Sequence, residues 1–556
     1  MAVNDDHSTD AMAALSVNDD CWKELELDDI VQTQLIKIEN DYESIFSWDI
    51  KRLTGYSQNR MLNLVDKVRG KQEVITYFNG YKDVFNLNRF YLQLVATYEL
   101  YNSKRYKESY SEIENIVKFM ETCKFDESNE LYSSAYHHIA RATYAYIAFT
   151  LKMDAEKLLN DIKQIKDFNR TEKAAICAVK AIVFMEYPQK GNDIALEFSS
   201  QACNLHPAEH EWIIIWLKAK GRVRRYYHPF EMPGIDEMDA VKMLCSTKLK
   251  PDILIEASRL YKEAAFVYRV NKNYSEANKL YNFSIDNIKI SIDLAKDDTS
   301  QLYFILLNCI DDLKQLSKST IDNLITKLAN VKNSYVDQVL GLYYLKHEKD
   351  YVKAKIYLSR GMAAGHFNSA LQLIKAECLL QPVDKFPYVQ TLNTMYDNFQ
   401  NPKRRLTILL HILMYFNYCE KNPKEMMHYL KLYIDQDIDD TLKKRHLIFA
   451  NQIFMKNRYL QKNEFLNVLS ENLKDLINYK WSIEEKQMFD YTFNRFNEIL
   501  KLNSDGNKIN DNNKTNVYKK NESWRKQRVD LSEYKSNKSH QQKNESWRKQ
   551  RSSRCE

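Results

Sequence analysis

The sequence predicts an all-α protein, an α-solenoid of stacked helical hairpins with disordered termini, and three observations carry that reading. Ten glycines and nine prolines in 556 residues fall far below the roughly 12% of an average protein, and sheets and open loops need those residues for turns. From about Leu25 to Leu502 the apolar residues recur at helical spacing, as amphipathic helices require. Residues 258–284, SRLYKEAAFVYRVNKNYSEANKLYNFS, place small or aromatic side chains where two antiparallel helices must meet. Ala265 and Ala277 take the points of close approach, Tyr274 follows the turn, and Tyr281 and Ser284 close the second helix. One hairpin cannot bury its own apolar face, so neighbours must stack on both sides.

The remaining hairpins follow in order. Residues 1–22 are acidic and polar, with VNDD written twice, and read as disordered. Residues 90–119 carry Tyr91, Leu94, Tyr98, Tyr106 and Tyr110, and residues 132–165 carry Ala135, Ala142 and Ala155. Residues 173–207 place Ala195, Ala202 and Pro207 as the small, small and terminating positions of a tetratricopeptide-like hairpin. A break at 228–234, HPFEMPG, interrupts the array. Residues 339–370 hold Gly341, Tyr344, Ala354, Tyr357, Gly361, Ala364 and Gly365, a spacing that resembles the Sel1-type repeat. Beyond Thr391 the small-residue signature fades. The expected segments are 1–22 disordered, 23–230 and 231–390 helical repeats, 391–504 a C-terminal helical region, and 505–556 a disordered basic tail.

Charge is unevenly placed. From Lys501 to Glu556 there are 15 Lys and Arg against 7 Asp and Glu, and the rest of the chain is close to neutral. An anion site in the body therefore needs local clustering, whereas the tail is basic throughout. The nine cysteines are scattered and never form a C-x-x-C pair, which argues against a disulfide framework or a zinc site. The first 20 residues are unlike a secretory leader, and no apolar run approaches the ~18 residues of a membrane span. The expectation is a cytoplasmic protein with no membrane contact.

Residues 212–228, WIIIWLKAKGRVRRYYH, are the segment best suited to nucleic acid. Lys218, Lys220, Arg222, Arg224 and Arg225 are followed by Tyr226, Tyr227 and His228. Cations track phosphates, and rings stack on exposed bases for about 1–3 kcal/mol each. Trp212 and Trp216, one turn apart, read as repeat core. The tail repeats KNESWRKQR at 520–528 and 543–551. It thereby sets Trp524 among Arg525, Lys526 and Arg528, and Trp547 among Arg548, Lys549 and Arg551. These copies read either as short motifs for RNA or a partner's aromatic pocket, or as duplicated low-complexity sequence. One enzymatic motif is present: residues 206–210 spell H-x-x-E-H. Zinc chemistry needs both histidines on one helix, and Pro207 puts a turn between them. His137 and His138 are adjacent rather than one turn apart. The chain reads as a non-enzymatic binding protein, with no catalytic residue, metal or cofactor.

Four segments resemble the interferon-induced proteins with tetratricopeptide repeats. Phe46-Ser47-Trp48-Asp49 is similar to that family's Phe-Thr-Trp motif, and residues 136–165, 173–211 and 267–277 are similar to successive hairpins. The resemblance spans roughly residues 40–290. It implies binding of the 5′ end of foreign or aberrant single-stranded RNA in a basic, aromatic-lined pocket, in innate antiviral defence. By position it points to Tyr144, which replaces a family tryptophan, to Arg141 one turn earlier, and to Tyr268 and Arg269. Lys262-Glu263 stands where the family has a basic-aromatic pair. The alternative is a protein–protein scaffold gripping a peptide in its groove; protein partners are expected on either reading, and homo-oligomerisation is open. A basic concavity at Arg141, Arg222, Arg224 and Arg225 favours RNA, and a neutral groove favours a peptide.

Overall fold

The structure, a computed structural model, describes residues 29–50, 58–79, 83–153, 155–187, 190–228, 230–247, 249–381, 385–399, 402–438, 440–448 and 464–501. The chain divides into two units, Met1–Asn497 and Glu498–Glu556; of the second, only the last turn of the final helix is described. The longer helices run in the order α1 (Asp29–Asp41), α2 (Gln58–Asn79), α3 (Leu87–Asn102), α4 (Tyr106–Thr122), α5 (Ser133–Thr150), α6 (Arg170–Phe184), α7 (Lys190–Leu205), α8 (His210–Tyr227), α9 (Ile235–Thr247), α10 (Pro251–Val270) and α11 (Tyr274–Ala295). They continue as α12 (Thr299–Cys309), α13 (Lys318–Ala329), α14 (Ser334–Tyr343), α15 (Tyr351–Ala363), α16 (Phe367–Leu380), α17 (Tyr388–Asn398), α18 (Pro402–Tyr418), α19 (Pro423–Ile434), α20 (Asp440–Ile448), α21 (Glu464–Asp475) and α22 (Ile483–Lys501). Among the described residues there is no named strand, and Val84 and Lys124 form an isolated β-bridge. No described helix is long and apolar enough to cross a membrane.

From α2 to α19 each helix packs on its successor, and α6 also meets α8, α8 meets α10, α10 meets α12, α12 meets α14 and α14 meets α16. Contact at every second helix is what stacked hairpins produce, so the α-solenoid is directly visible. The small residues lie where the sequence places them: Ala142, Ala195, Ala202 and Ala277 are fully buried, and Ala265 nearly so. At Gly361 a Cβ would come within 2.4 Å of Ser369 Oγ, and at Gly341 within 2.6 Å of Leu358 Cγ. Those glycines let α15 lie close against α16 and α14 in the Sel1-like segment.

The hairpin turns share a device that composition conceals. Lys104, Lys272 and Lys349 each take the left-handed conformation that usually selects glycine, with φ of 65°, 61° and 54°. Each is followed two residues later by the tyrosine that opens the next helix, Tyr106, Tyr274 or Tyr351. At the α10–α11 turn, Lys272 N–H donates to the Arg269 carbonyl and Asn273 N–H to the Tyr268 carbonyl, at 3.0 and 2.9 Å. The Asn273 side chain then accepts from Glu276 N–H and caps α11. A non-glycine residue here costs about 1–2 kcal/mol. Lys272→Gly is therefore expected to raise stability by about 0.5–1 kcal/mol, net of glycine's freedom in the unfolded chain. Urea titration checks this; a lowered midpoint would contradict it.

Two helices set the geometry of the candidate site. Helix α8 is buried on two sides: Trp212, Ile215 and Ala219 join the N-terminal core, while Ile213, Ile214 and Leu217 pack with Val241, Leu244, Ile253 and Ala257. Helix α2 connects parts of the chain far apart in sequence. Its Val74 belongs to a core with Ile285, Ile288, Leu302 and Tyr303, and Phe78 lies 5.0 Å from the Tyr303 ring centre. Tyr335 OH donates to Glu73, and Tyr77 OH to the Lys332 carbonyl.

Candidate nucleic-acid interface

The folded chain divides the cations of α8 into two groups. Arg224 is only 7% exposed and donates to Glu237 at 3.0 Å and to Glu263 at 2.7 Å. Arg225 pairs with the other oxygen of Glu263, Lys220 with Asp236, and Lys218 lies 3.9 Å from Glu256. These carboxylates come from α9 and α10, so the charge written along α8 is met by acids 13 to 39 residues away. Glu263, the acidic residue beside Lys262, thus holds both Arg224 and Arg225, and Lys262 itself pairs with Asp312. Arg141 sits between Glu121 and Asp161 at 3.6 and 3.5 Å. Tyr144 shares a 2.7 Å hydrogen bond with Tyr110 OH, and burial pushes its phenol well above the usual range. Of the four positions expected to make a basic concavity, Arg141, Arg222, Arg224 and Arg225, three are accordingly paired with carboxylates, Arg222 being the exception.

Arg222 is different. It donates not to a carboxylate but to the Met185 carbonyl, 2.5 Å away, at the end of α6. The next residue is Glu186, and Lys67 and Lys71 of α2 reach its two oxygens at 3.0 and 2.5 Å. The Glu186 side chain is 3% exposed, whereas Lys67 and Lys71 are 52% and 39% exposed. Both lysine side chains are therefore partly open to solvent, while the carboxylate they hold is buried. Burial lowers the Lys71 ammonium below its ordinary range, Glu186 opposes that, and the like charges of Lys67 and Arg222 add to it. Burial alone would raise the Glu186 carboxyl, but Lys71 and Lys67 outweigh it and hold it below the carboxylate range. Tyr91 of α3, a half-buried phenol, senses both Glu186 and Arg222. Two lysines thus share one buried carboxylate, with Arg222 on the adjoining backbone carbonyl.

The rings flanking this group are unequally available. Trp212 is 1% exposed and packs 4.9 Å from Tyr132, so it is core, as its spacing implies. Trp216 lies under the Lys220 ammonium. Tyr226, one turn after Arg222, is 44% exposed. Tyr227 is 36% exposed and tied through its hydroxyl to Asp193 at 2.7 Å. Tyr268 and Arg269 end α10, where their carbonyls hold the hairpin turn; no described hydrogen bond or ion pair joins their side chains to the Arg222 group. The tail residues Trp524, Arg525, Lys526, Arg528, Trp547, Arg548, Lys549 and Arg551 lie outside the described residues.

Sequence reading missed Lys67, Lys71 and Glu186. The i,i+4 lysines are visible along α2, but nothing local says that they meet the residue following Met185. For the H-x-x-E-H segment, α7 ends at Leu205 and α8 begins at His210. His206 Nδ1 and the Glu209 carboxylate both meet Tyr132 OH, at 2.8 and 2.9 Å, while His210 meets Thr247. The two histidines take part in separate structural contacts.

No family model matches the chain, and no curated protein does. Among solved structures, it is similar to a human IFIT1 dimer with m7Gppp-AAAA, at 10% identity and a TM-score of 0.41, covering 84% of this chain and 97% of that one. It is also similar to a human IFIT1 dimer with PPP-AAAA, at 11% identity and a TM-score of 0.40, covering 85% and 100%. A third is c5321, a protective antigen of uropathogenic Escherichia coli displaying an SLR fold, at 10% identity and a TM-score of 0.25, covering 80% and 98%.

Proposed function

We propose that the chain is a non-enzymatic repeat protein that binds single-stranded RNA, with phosphates on Lys67, Lys71 and Arg222 and a base stacked on Tyr226. The observation that carries this reading is one buried carboxylate held by two partly exposed lysines, with Arg222 on the adjoining backbone carbonyl. A positive group that one carboxylate only partly compensates, with an exposed ring one turn along the helix from Arg222, is what a flexible strand requires. The resemblance to the interferon-induced repeat family supports the same ligand class and a cytoplasmic antiviral setting. The two tail tryptophans would add avidity, since a tethered second contact raises binding without a new pocket.

Combining Lys67→Ala, Lys71→Ala and Arg222→Ala is expected to weaken binding of an unstructured oligoribonucleotide at least about tenfold near 0.1 M salt. The salt dependence should become shallower by about two counterions. Equal affinity and equal salt slope in wild type and variant would reject the site. A second reading has its own observation. Neutralisation of Arg224 and Arg225 by Glu237 and Glu263 removes positive potential from the C-terminal half of α8 and suits a scaffold gripping a peptide. That reading is favoured if RNA affinity is unchanged in the triple variant.

A further inference from the structure

We propose that Glu186 sets the charge of the ligand that this site accepts, which is an internal phosphate or a terminal monophosphate rather than a terminal polyphosphate. The inference rests on the RNA-binding reading and assigns a specificity-determining role within it. Lys67 and Lys71 hold the Glu186 carboxylate and Arg222 holds the adjoining Met185 carbonyl, so among these four side chains two positive charges are in excess. Glu186 cannot turn away: both oxygens are engaged by lysines, its side chain is 3% exposed, and its backbone continues from the carbonyl that holds Arg222. A phosphate seated on these two partly exposed lysines therefore approaches the fixed carboxylate that they hold. One or two negative charges on the ligand match the excess. A third or fourth would face the fixed Glu186 carboxylate without a free counter-charge, and like charges repel. No side-chain movement relieves this while the lysines stay paired.

The test uses the full chain and one single-stranded oligoribonucleotide carrying a 5′-hydroxyl, a 5′-monophosphate or a 5′-triphosphate. Wild type is expected to bind the triphosphate no more tightly than the monophosphate. Glu186→Gln keeps the shape and removes the charge, and should shift the triphosphate-to-monophosphate affinity ratio upward by about tenfold. Lys67→Gln, at a half-exposed position that carries no core, should shift that ratio in the opposite direction. Opposite shifts support the proposal, since general loosening of the site would lower both affinities together. Wild type that prefers the triphosphate, or ratios unchanged in both variants while all three oligonucleotides bind, overturns the role of Glu186 and leaves the RNA site standing. Wild type that binds none of the three overturns the RNA reading itself.

Discussion

Urea unfolding at pH 5 is expected to need markedly less denaturant than at pH 7, because burial holds three histidines, His138, His411 and His446, in neutral form. His138 of α5 is 2% exposed, and its Nε2 accepts the Glu43 backbone N–H at 2.9 Å, a bond that protonation would break. Burial, opposed by Glu172, lowers its pKa to about 4. His411 of α18 is 7% exposed and is lowered to about 4 by burial and by His446. The unfolded values lie near 6.5, so protons bind the unfolded chain first. The stability these groups contribute is complete above pH 6.5 and is lost as pH falls towards 4. Each histidine accounts for about 2 kcal/mol at pH 5 and about 3 kcal/mol at pH 4. His138→Gln, which keeps an acceptor for Glu43 but does not titrate, should remove about a third of the slope that His138, His411 and His446 supply. A midpoint that is flat between pH 7 and pH 5 would show that these rings are not buried in neutral form.

Replacing Arg224 by Ala is expected to cost about 3–5 kcal/mol, far more than the same change at Arg222. Glu237 is 1% exposed and accepts from Arg224 and from Gly234 N–H. Burial raises the Glu237 carboxyl, with Gly234 and Arg224 among the groups that oppose it. Without the guanidinium a carboxyl group remains buried with most of its compensation gone. Pairing Arg224→Met with Glu237→Leu should recover most of the loss, because a buried ion pair is often replaceable by apolar groups of similar size. Thermal unfolding of the single and double variants decides the matter. Equal stability of Arg224→Ala and wild type would mean that the pair is solvated. The result also bears on RNA experiments. Removing Arg222, Arg224 and Arg225 together, which the run of basic residues invites, would confound loss of ligand contact with loss of fold, whereas Lys67, Lys71 and Arg222 form a cleaner set.

Local spacing was enough to read the architecture. A period of 3.6 residues specifies which helix face is apolar, and a small residue at a crossing specifies where helices approach, so Ala142, Ala195, Ala265 and Ala277 could be placed from the chain alone. Trp212 was legible as core for the same reason. The left-handed lysines were not, because lysine has no intrinsic preference for that conformation and only closure of the hairpin imposes it.

The site was legible by half. Sequence determined that cations and rings share α8, since residues 218–227 are neighbours on one helix. Tertiary structure alone decided which cations keep their charge available. Arg222 and Arg224 are two positions apart and chemically identical, yet one ends on a backbone carbonyl and the other between two carboxylates. Residues two apart on a helix point about 200° from each other, so they meet different neighbours. Those neighbours, α2 and the end of α6 for one and α9 and α10 for the other, are brought in by stacking over distances that no local pattern encodes. Coulomb energy depends on separation in space, and the chain fixes that separation only by folding.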